Sequence, residues 1–306
     1  MKASHAHRVS AGLLVLAAML AGCTQGRAGI QQQAGSQSRT LTVAGFNFAE
    51  SSILANIYGR ALKQHGYATS YKLNLGNREV VEPALEKGAV DLYPGYVASE
   101  LEFINGGKGE ASSDVNATMT KLNSYLSAKG LRALKPSPAA NTNGFAVTRA
   151  TAERYHLRKI SDLLPVAGGM TLGGPPECPS RPFCQSGLQK TYGLTFKGFV
   201  PLDAGGPLSK AALEKGDVDV ALIFTSDGVI AAKDFVVLED DKHLQNADNV
   251  APVIRSSLAG DGVVSLLNDI SSKLTTQALI ELNQSSQLDR DDPDVLAQQW
   301  LSSHGY

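Results

Sequence analysis

The chain has 306 residues, of which 43% are hydrophobic, and its formal net charge at pH 7 is -1. A near-neutral charge without a run of basic residues argues against nucleic-acid binding and against electrostatic attachment to a membrane surface. The length beyond the N-terminal segment is sufficient for two α/β lobes with hydrophobic cores.

The first 22 residues have the features of an export signal. Lys2 and Arg8 precede an apolar run over residues 13–20, and small residues continue to Cys23. Together with the small residues that flank it, the apolar stretch covers roughly 12 residues, which is too short for a permanent transmembrane helix of about 20 residues. Residues 1–22 are therefore predicted to be a signal peptide, and the remaining chain is predicted to leave the cytoplasm.

The segment Leu20-Ala21-Gly22-Cys23 resembles a bacterial lipobox. This resemblance implies cleavage before Cys23 and attachment of diacylglycerol to its thiol; the alternative is an ordinary signal peptide with an incidental cysteine. Residues 24–39 are rich in Gln, Gly, Ser and Ala, and such a tether would span roughly 20 to 25 Å. Residues 23–39 are thus predicted to anchor the protein to the outer face of the cell membrane.

The three cysteines support the same compartment. Lipidation would use Cys23 and leave an even pair, Cys178 and Cys184, outside the cytoplasm, where disulfides persist. The pair is predicted to form a disulfide, and two free thiols are the alternative. A cysteine pair without a matching His or second cysteine pair is a poor zinc site, so no metal site is predicted.

The predicted elements alternate between strands and helices, as in an α/β fold. A strand over residues 41–44 precedes a helix for which Asn47 and Glu50 suit a capping box. The later elements of this first lobe are a strand over 67–75, a helix over 78–87, a helix ending at Gly130, and a final helix that Asp292 caps before Pro293.

One segment occurs twice, as ALEKGAVDLYPGY over residues 84–96 and as ALEKGDVDVALIF over residues 212–224, an offset of 128 (212 − 84). In each copy a helical stretch ends at a glycine suited to a left-handed cap, Gly88 or Gly216, and an apolar run then reads as a strand. Two copies predict two similar lobes.

Each repeated strand ends at an aromatic residue, Tyr96 in the first copy and Phe224 in the second. Ligands of open α/β sheets bind beyond the carboxyl ends of the strands. Two lobes that face each other can close these ends over one small molecule. The repeat therefore predicts a protein that captures a solute.

The chain is predicted to cross between the lobes twice. The extended segment 140–147 is the first hinge, and residues 225–244 are predicted to carry the chain back as the second. Lobe 1 then comprises residues 40–142 and 226–306, and lobe 2 comprises residues 143–225.

The motifs of common enzymes are absent from the sequence. There is no HExxH, GxSxG, P-loop or GxGxxG pattern, and the acidic run over residues 239–243 is interpreted as a solvated turn. No enzymatic activity and no cofactor are predicted, because no nucleophile, base and orienting group occur together.

Six segments together resemble one family, the substrate-binding proteins of osmoprotectant ABC importers of the glycine betaine, choline and carnitine type. They are GFNFAES, LNLGNREVVEPALEKGAVDLYPGY, NTNGFAV, LDAGGPL, FTSDGVI and VLEDDKHLQNADNVAPVIR. The resemblance covers nearly all of residues 40–306. It implies an α/β, two-lobed type II periplasmic-binding-protein fold with two hinge crossings, which closes on its ligand as a monomer and delivers it to a permease powered by an ATPase.

The resemblance also implies a ligand site. Family members that hold glycine betaine often use four Tyr as a cage, and here those positions are Tyr96, Asn143, Phe224 and Ala247. Arg181 matches the residue that binds the ligand's carboxylate. The predicted ligand-binding residues are Phe46, Asn47, Tyr96, Ser99, Asn143, Arg181, Asp203, Phe224, Thr225 and Asp227.

Ring faces hold a quaternary ammonium group, whose charge cannot donate a hydrogen bond. Because two of the four cage positions lack a ring, the site is expected to admit a betaine-class ligand or, as an alternative, a bulkier aromatic or polyhydroxylated one. A second alternative is a lipoprotein that senses its ligand without transporting it.

Overall fold

A computed structural model describes residues 40–306, and its two five-stranded sheets define two lobes. The predicted signal peptide (1–22), the lipidation site Cys23 and the tether (23–39) lie outside the described residues. None of the helices in the described part of the chain is long and apolar enough to cross a membrane.

The first sheet has the strand order β2-β1-β3-β10-β4. Its strands are β1 (Leu41–Ala44), β2 (Thr69–Lys72), β3 (Leu92–Tyr96), β4 (Leu131–Ala133) and β10 (Val250–Arg255). Strand β1 pairs in parallel with β2 and β3, whereas β10 is antiparallel to both β3 and β4.

The second sheet repeats this arrangement with the order β7-β6-β8-β5-β9. Its strands are β5 (Asn143–Thr148), β6 (Thr171–Gly174), β7 (Gly198–Pro201), β8 (Val220–Phe224) and β9 (Phe235–Val237). Strand β6 is parallel to β7 and β8, and β5 is antiparallel to β8 and β9. The two sheets therefore share the spatial order and the relative directions of their strands. They differ in connectivity, because the antiparallel strand beside the central one comes last along the chain in the first sheet (β10) and first in the second (β5).

The α-helices lie around these two sheets. They are α1 (Ala49–Gln64), α2 (Arg78–Glu86), α3 (Val97–Ile104), α4 (Val115–Ser127), α5 (Arg149–Tyr155), α6 (Gln185–Gly187), α7 (Pro207–Lys215), α8 (Asp261–Lys273), α9 (Thr276–Gln284) and α10 (Pro293–Ser303). As predicted, the Asp292 side chain caps α10 by accepting the Asp294 N–H at 2.8 Å.

Each lobe has its own hydrophobic core. In the first lobe, the apolar face of α1, including Leu54 and Ile57, is fully buried with Leu92 of β3. In the second lobe, Phe145 and Leu172 are fully buried in a separate cluster. Separate cores allow each lobe to be a stable unit on either side of a cleft.

The repeated segment forms the same unit in both lobes. In the first lobe, α2 is followed by Gly88 (φ 70°) and then by the central strand β3; in the second, α7 is followed by Gly216 (φ 73°) and the central strand β8. Both glycines adopt the left-handed conformation that their position after a helix predicts.

The predicted capping box at α1 is wrong. The helix begins at Ala49 after its N-cap residue Phe48, whose side chain makes no capping hydrogen bond. The Asn47 side chain is therefore not the cap, and the Ser51 hydroxyl instead accepts the Phe46 N–H at 2.8 Å. Glu50 points into the protein because four buried donors from distant parts of the chain surround its carboxylate.

The structure has the two crossings that the fold class predicts, but the second lies later than the sequence indicated. The chain leaves the first sheet after β4 and returns to it between β9 and β10, over residues 238–249. Residues 235–237 pair with β5 in the second sheet, so assigning all of 226–306 to lobe 1 is corrected. A short apolar run on the free edge of β5 completes the sheet, and this long-range pairing cannot be recognised locally.

Candidate ligand-binding site

A cavity of about 290 Å³ lies between the two lobes, at the carboxyl ends of β1, β3 and β8. Both lobes contribute side chains to its wall. Seven of the ten residues predicted to bind ligand line it, namely Phe46, Asn47, Tyr96, Ser99, Asn143, Arg181 and Phe224.

Four aromatic rings, those of Phe46, Phe48, Tyr96 and Phe224, form a ring cluster on the cavity wall. The Phe46 and Phe48 rings stack with centroids 5.9 Å apart, and the Tyr96 ring lies 6.0 Å from Phe48. Phe224 of the second lobe lies 5.1 Å from Phe48 of the first. The ring cluster therefore joins the lobes across the cleft. Phe48 was missing from the predicted set, although it belongs to the segment GFNFAES.

The Tyr96 ring is held in place from behind by Glu50. The Glu50 side chain is buried, and its carboxylate accepts hydrogen bonds from the Tyr96 hydroxyl at 2.7 Å and the Asn141 amide at 2.8 Å. It also accepts from the Ser226 hydroxyl at 2.5 Å and the Asn283 amide at 2.6 Å. One carboxylate thus connects a cavity ring to the first crossing segment and to α9.

Arg181 reaches from the second lobe to the first. Its Nε and Nη2 atoms donate to the two carboxylate oxygens of Glu79 in α2 at 3.0 and 2.7 Å, and Nη2 lies 3.7 Å from Glu177. Its guanidinium also lies 6.0 Å from the Phe103 ring centroid. The charge of Arg181, predicted to bind a ligand carboxylate, is therefore engaged by two protein carboxylates.

A second arginine, Arg78, lines the cavity and is buried. Its Nε donates to Glu100 at 2.9 Å, and its guanidinium lies 5.4 Å from the Phe46 ring centroid. Burial by itself lowers the pKa of Arg78, but the charges of Glu100 and Asp248 outweigh this effect and raise it. Arg78 therefore stays charged next to the ring cluster, which the sequence did not predict.

Asp248 also lines the cavity and supports the predicted residue Ser99. Its carboxylate accepts the Ser99 N–H at 2.8 Å and the Ser99 hydroxyl at 2.6 Å. Burial raises the pKa of Asp248, although the hydrogen bonds from Ser99 oppose this rise. Asn143, from the other lobe, donates its amide to the Phe183 carbonyl at 2.9 Å.

Three residues of the predicted set lie outside the cavity. Asp203 accepts backbone N–H groups at the start of α7, including that of Ser209 at 2.8 Å. The Thr225 hydroxyl accepts a backbone N–H of the first crossing segment, and Asp227 forms a buried ion pair with Lys210. These side chains are engaged in capping, in the hinge and in a buried pair, which corrects their assignment to the cleft.

Cys178 and Cys184 form the predicted disulfide, with their Cα atoms 5.2 Å apart. Both cysteines lie on the cavity wall. The bridge closes the loop that carries Arg181, so it holds the backbone on both sides of that residue.

Comparison with known proteins is consistent with this geometry. The Escherichia coli K12 glycine betaine-binding protein YehZ is 28% identical over 84% of this chain and 88% of its own length. The Listeria monocytogenes carnitine transport binding protein OpuCC is 26% identical over 89% of each chain. A crystal structure described as a glycine betaine/carnitine/choline ABC transporter superposes with a TM-score of 0.67 at 25% identity, over 86% of this chain and 98% of the other.

The family-level match covers a similar part of the chain. The OpuAC family, described as the substrate-binding domain of the ABC-type glycine betaine transport system, matches residues 39–303. Its members are transporter binding proteins rather than enzymes. Two α/β lobes around an aromatic cavity, together with this match over almost the entire described chain, show that the protein belongs to the OpuAC family of ABC-transporter substrate-binding domains.

Proposed function

We propose that this protein is an extracytoplasmic lipoprotein that captures a small quaternary-ammonium solute between its lobes and delivers it to an ABC importer. The observation that carries the proposal is the ring cluster in the cavity between the lobes. Its rings come from both lobes, with Phe48 and Phe224 5.1 Å apart across the cleft.

Ring faces attract a quaternary ammonium group through their electron-rich centres, and this attraction is strongest when the cation is removed from water. A cation that contacts both Phe48 and Phe224 would favour the arrangement of the lobes in this structure, in which the two rings lie 5.1 Å apart. A ligand that binds one conformation better shifts the population towards it. Closure would then report to the permease that ligand is bound.

Lipidation of Cys23 would hold the receptor near its permease and ATPase partners at the outer face of the cell membrane. The lipobox supports this part of the proposal. Solute uptake by cells that express the receptor with its permease and ATPase separates transport from ligand sensing, since a sensor would bind the solute without supporting its uptake.

Calorimetric titration of the protein with choline, glycine betaine and carnitine tests the ligand class. Phe48→Ala and Phe224→Ala are each expected to weaken binding of the cations by about 10-fold, because each removes one ring from a desolvated cation. Tyr155→Ala is the control, since Tyr155 is exposed and far along the chain from both rings. Unchanged affinity in both Phe variants would contradict the proposed site.

The alternative of a bulkier aromatic or polyhydroxylated ligand has one supporting observation, the presence of Asn143 rather than a ring on the cavity wall. The cavity volume of about 290 Å³ favours a small ligand, because it lies near the lower limit of about 300 Å³ for small-molecule pockets. Adding polyols and phenols to the titration distinguishes the two.

A further inference from the structure

We propose that the cleft selects against ligands that carry a carboxylate and prefers a hydroxyl-bearing cation of the choline type to a zwitterion such as glycine betaine. The inference rests on the proposed function, since it assumes that the ring cluster holds an ammonium group. It is carried by the partners of the two arginines on the cavity wall.

The first arginine, Arg181, is outnumbered by carboxylates. The Glu79 carboxylate accepts hydrogen bonds from Nε and Nη2 of Arg181 at 3.0 and 2.7 Å, and the Glu177 carboxylate lies 3.7 Å from Nη2. The bidentate arrangement is the strongest that a guanidinium makes with a carboxylate. A ligand carboxylate would have to displace Glu79 or become the third anion around one cation.

The second arginine, Arg78, also has two carboxylates near its single positive charge. Glu100, which is fully buried, accepts its Nε–H at 2.9 Å, and Asp248 lines the same cavity and acts electrostatically on Arg78. Arg78 and Arg181 are the cationic side chains that line the cavity within residues 40–306. Neither of them provides a positive charge that is not already balanced.

The two arginines and the four carboxylates named with them sum to -2 (+2 − 4), and Glu102 adds a further carboxylate to the cavity wall. A net negative charge attracts a cation and opposes an additional carboxylate, more strongly at the buried pair of Arg78 and Glu100 than at the partly exposed Glu79. The charge distribution thus favours a ligand with a net positive charge over a zwitterion of the same skeleton.

Arg78 nevertheless has hydrogen-bond donors to offer. Only its Nε donates to an acceptor among the described residues, and its two terminal nitrogens have no such partner there. A guanidinium carries five N–H donors, so several remain for a ligand oxygen. A hydroxyl oxygen accepts such a bond without adding a negative charge.

The test is a calorimetric titration of the protein at fixed ionic strength with three probes: choline, glycine betaine and glycine betaine methyl ester. The ester has the skeleton of the betaine without its negative charge. We expect choline and the ester each to bind about 10-fold more tightly than glycine betaine, as removal of one like-charge interaction predicts.

Glu79→Gln and Glu177→Gln test the cause of this preference, because each removes a carboxylate from Arg181. The measured quantity is the ratio of the dissociation constants of glycine betaine and its ester, which a general weakening of lobe closure leaves unchanged. Each substitution is expected to lower that ratio by about 3-fold or more. Glu214→Gln is the matched control, since Glu214 pairs with Lys233 at the surface at 2.8 Å and should leave the ratio unchanged.

Two results would overturn the inference while leaving the proposed function intact. One is glycine betaine binding as tightly as choline and the ester; the other is a ratio unaffected by both glutamate substitutions. Failure of all three probes to bind would instead overturn the proposed function, and this inference with it.

Discussion

The two lobes share the spatial arrangement of their strands but differ directly after the equivalent strands β1 and β6. In the first lobe, β1 leads into α1, a regular helix of 16 residues. In the second lobe, β6 leads into an irregular loop that the Cys178–Cys184 disulfide closes, followed by the three-residue helix α6 and a π-helical turn over residues 188–192.

This difference separates two tasks at the cavity. Helix α1 supplies the buried Glu50, which holds the Tyr96 ring through a hydrogen bond of 2.7 Å. The loop of the second lobe supplies Arg181, which reaches across the cleft to Glu79. Two similar sheets can therefore carry different sites. The strands determine the position of the segments that follow them, and the residues of those segments determine which groups line the cavity.

Removing Glu50 is expected to have the largest effect on stability. Glu50→Ala leaves four buried donors without their acceptor, which should reduce the free energy of unfolding by about 4 kcal/mol. Urea denaturation measures the loss, with Glu281→Ala, an exposed position on α9, as control. A loss below about 1 kcal/mol, similar to that of an exposed residue, would contradict the role assigned to Glu50.

Removing the disulfide of the second lobe should reduce the free energy of unfolding by less than removing Glu50 does. The double substitution Cys178→Ser and Cys184→Ser is expected to lower the free energy of unfolding by about 2 kcal/mol, because a short closed loop restricts the unfolded chain only modestly. Denaturation of the unsubstituted protein with and without reductant provides the control. Reductant should reproduce the loss in the unsubstituted protein and leave the variant unchanged; equal stability of both proteins without reductant would argue against the bridge.

The smallest expected difference is between Gly88 and Gly216, the glycines that follow the repeated helices of the two lobes. Gly216→Ala should cost about 1 kcal/mol, since its φ of 73° is unfavourable for alanine while the added methyl group meets no atom of residues 40–306 within 4 Å. Gly88→Ala should cost about 2 kcal/mol, because its methyl group would also lie 2.6 Å from Nη1 of Arg255, which pairs with Asp91. Thermal denaturation of the two variants measures the difference. Equal losses would show that Arg255 moves aside freely.

Most predictions that depended on short-range patterns were confirmed, and the capping box at α1 is the exception. The Asp292 cap, the strand β1 and the glycines after the repeated helices all involve residues within a few positions of one another. The sequence also predicted that Ile53, Leu54, Ile57, Ala61 and Leu62 lie on one face of α1, and all five are buried, because their spacing determines which side of the helix can be buried.

Three predictions were wrong because they concern residues whose partners are distant in the chain. Glu50 was interpreted as a capping residue, yet its partner Asn283 lies 233 residues away in the chain. Asp227 was assigned to the cleft, whereas Lys210 holds it in a buried ion pair. Strand β9 was taken for part of a hinge because its pairing with β5 spans most of the second lobe.

The sequence by itself determined the α/β class, the duplicated lobes, the pairing of Cys178 with Cys184 and the aromatic ends of the central strands. Periodicity and turn residues are local features of the sequence, and the number of cysteines is a property of the whole chain, so none of them requires knowledge of the tertiary structure. Only the tertiary structure decided that Phe48 meets Phe224 across the cleft and that Glu79 engages Arg181. Such contacts depend on how the two lobes face each other, and burial and charge pairing at that interface exist only after the chain has folded.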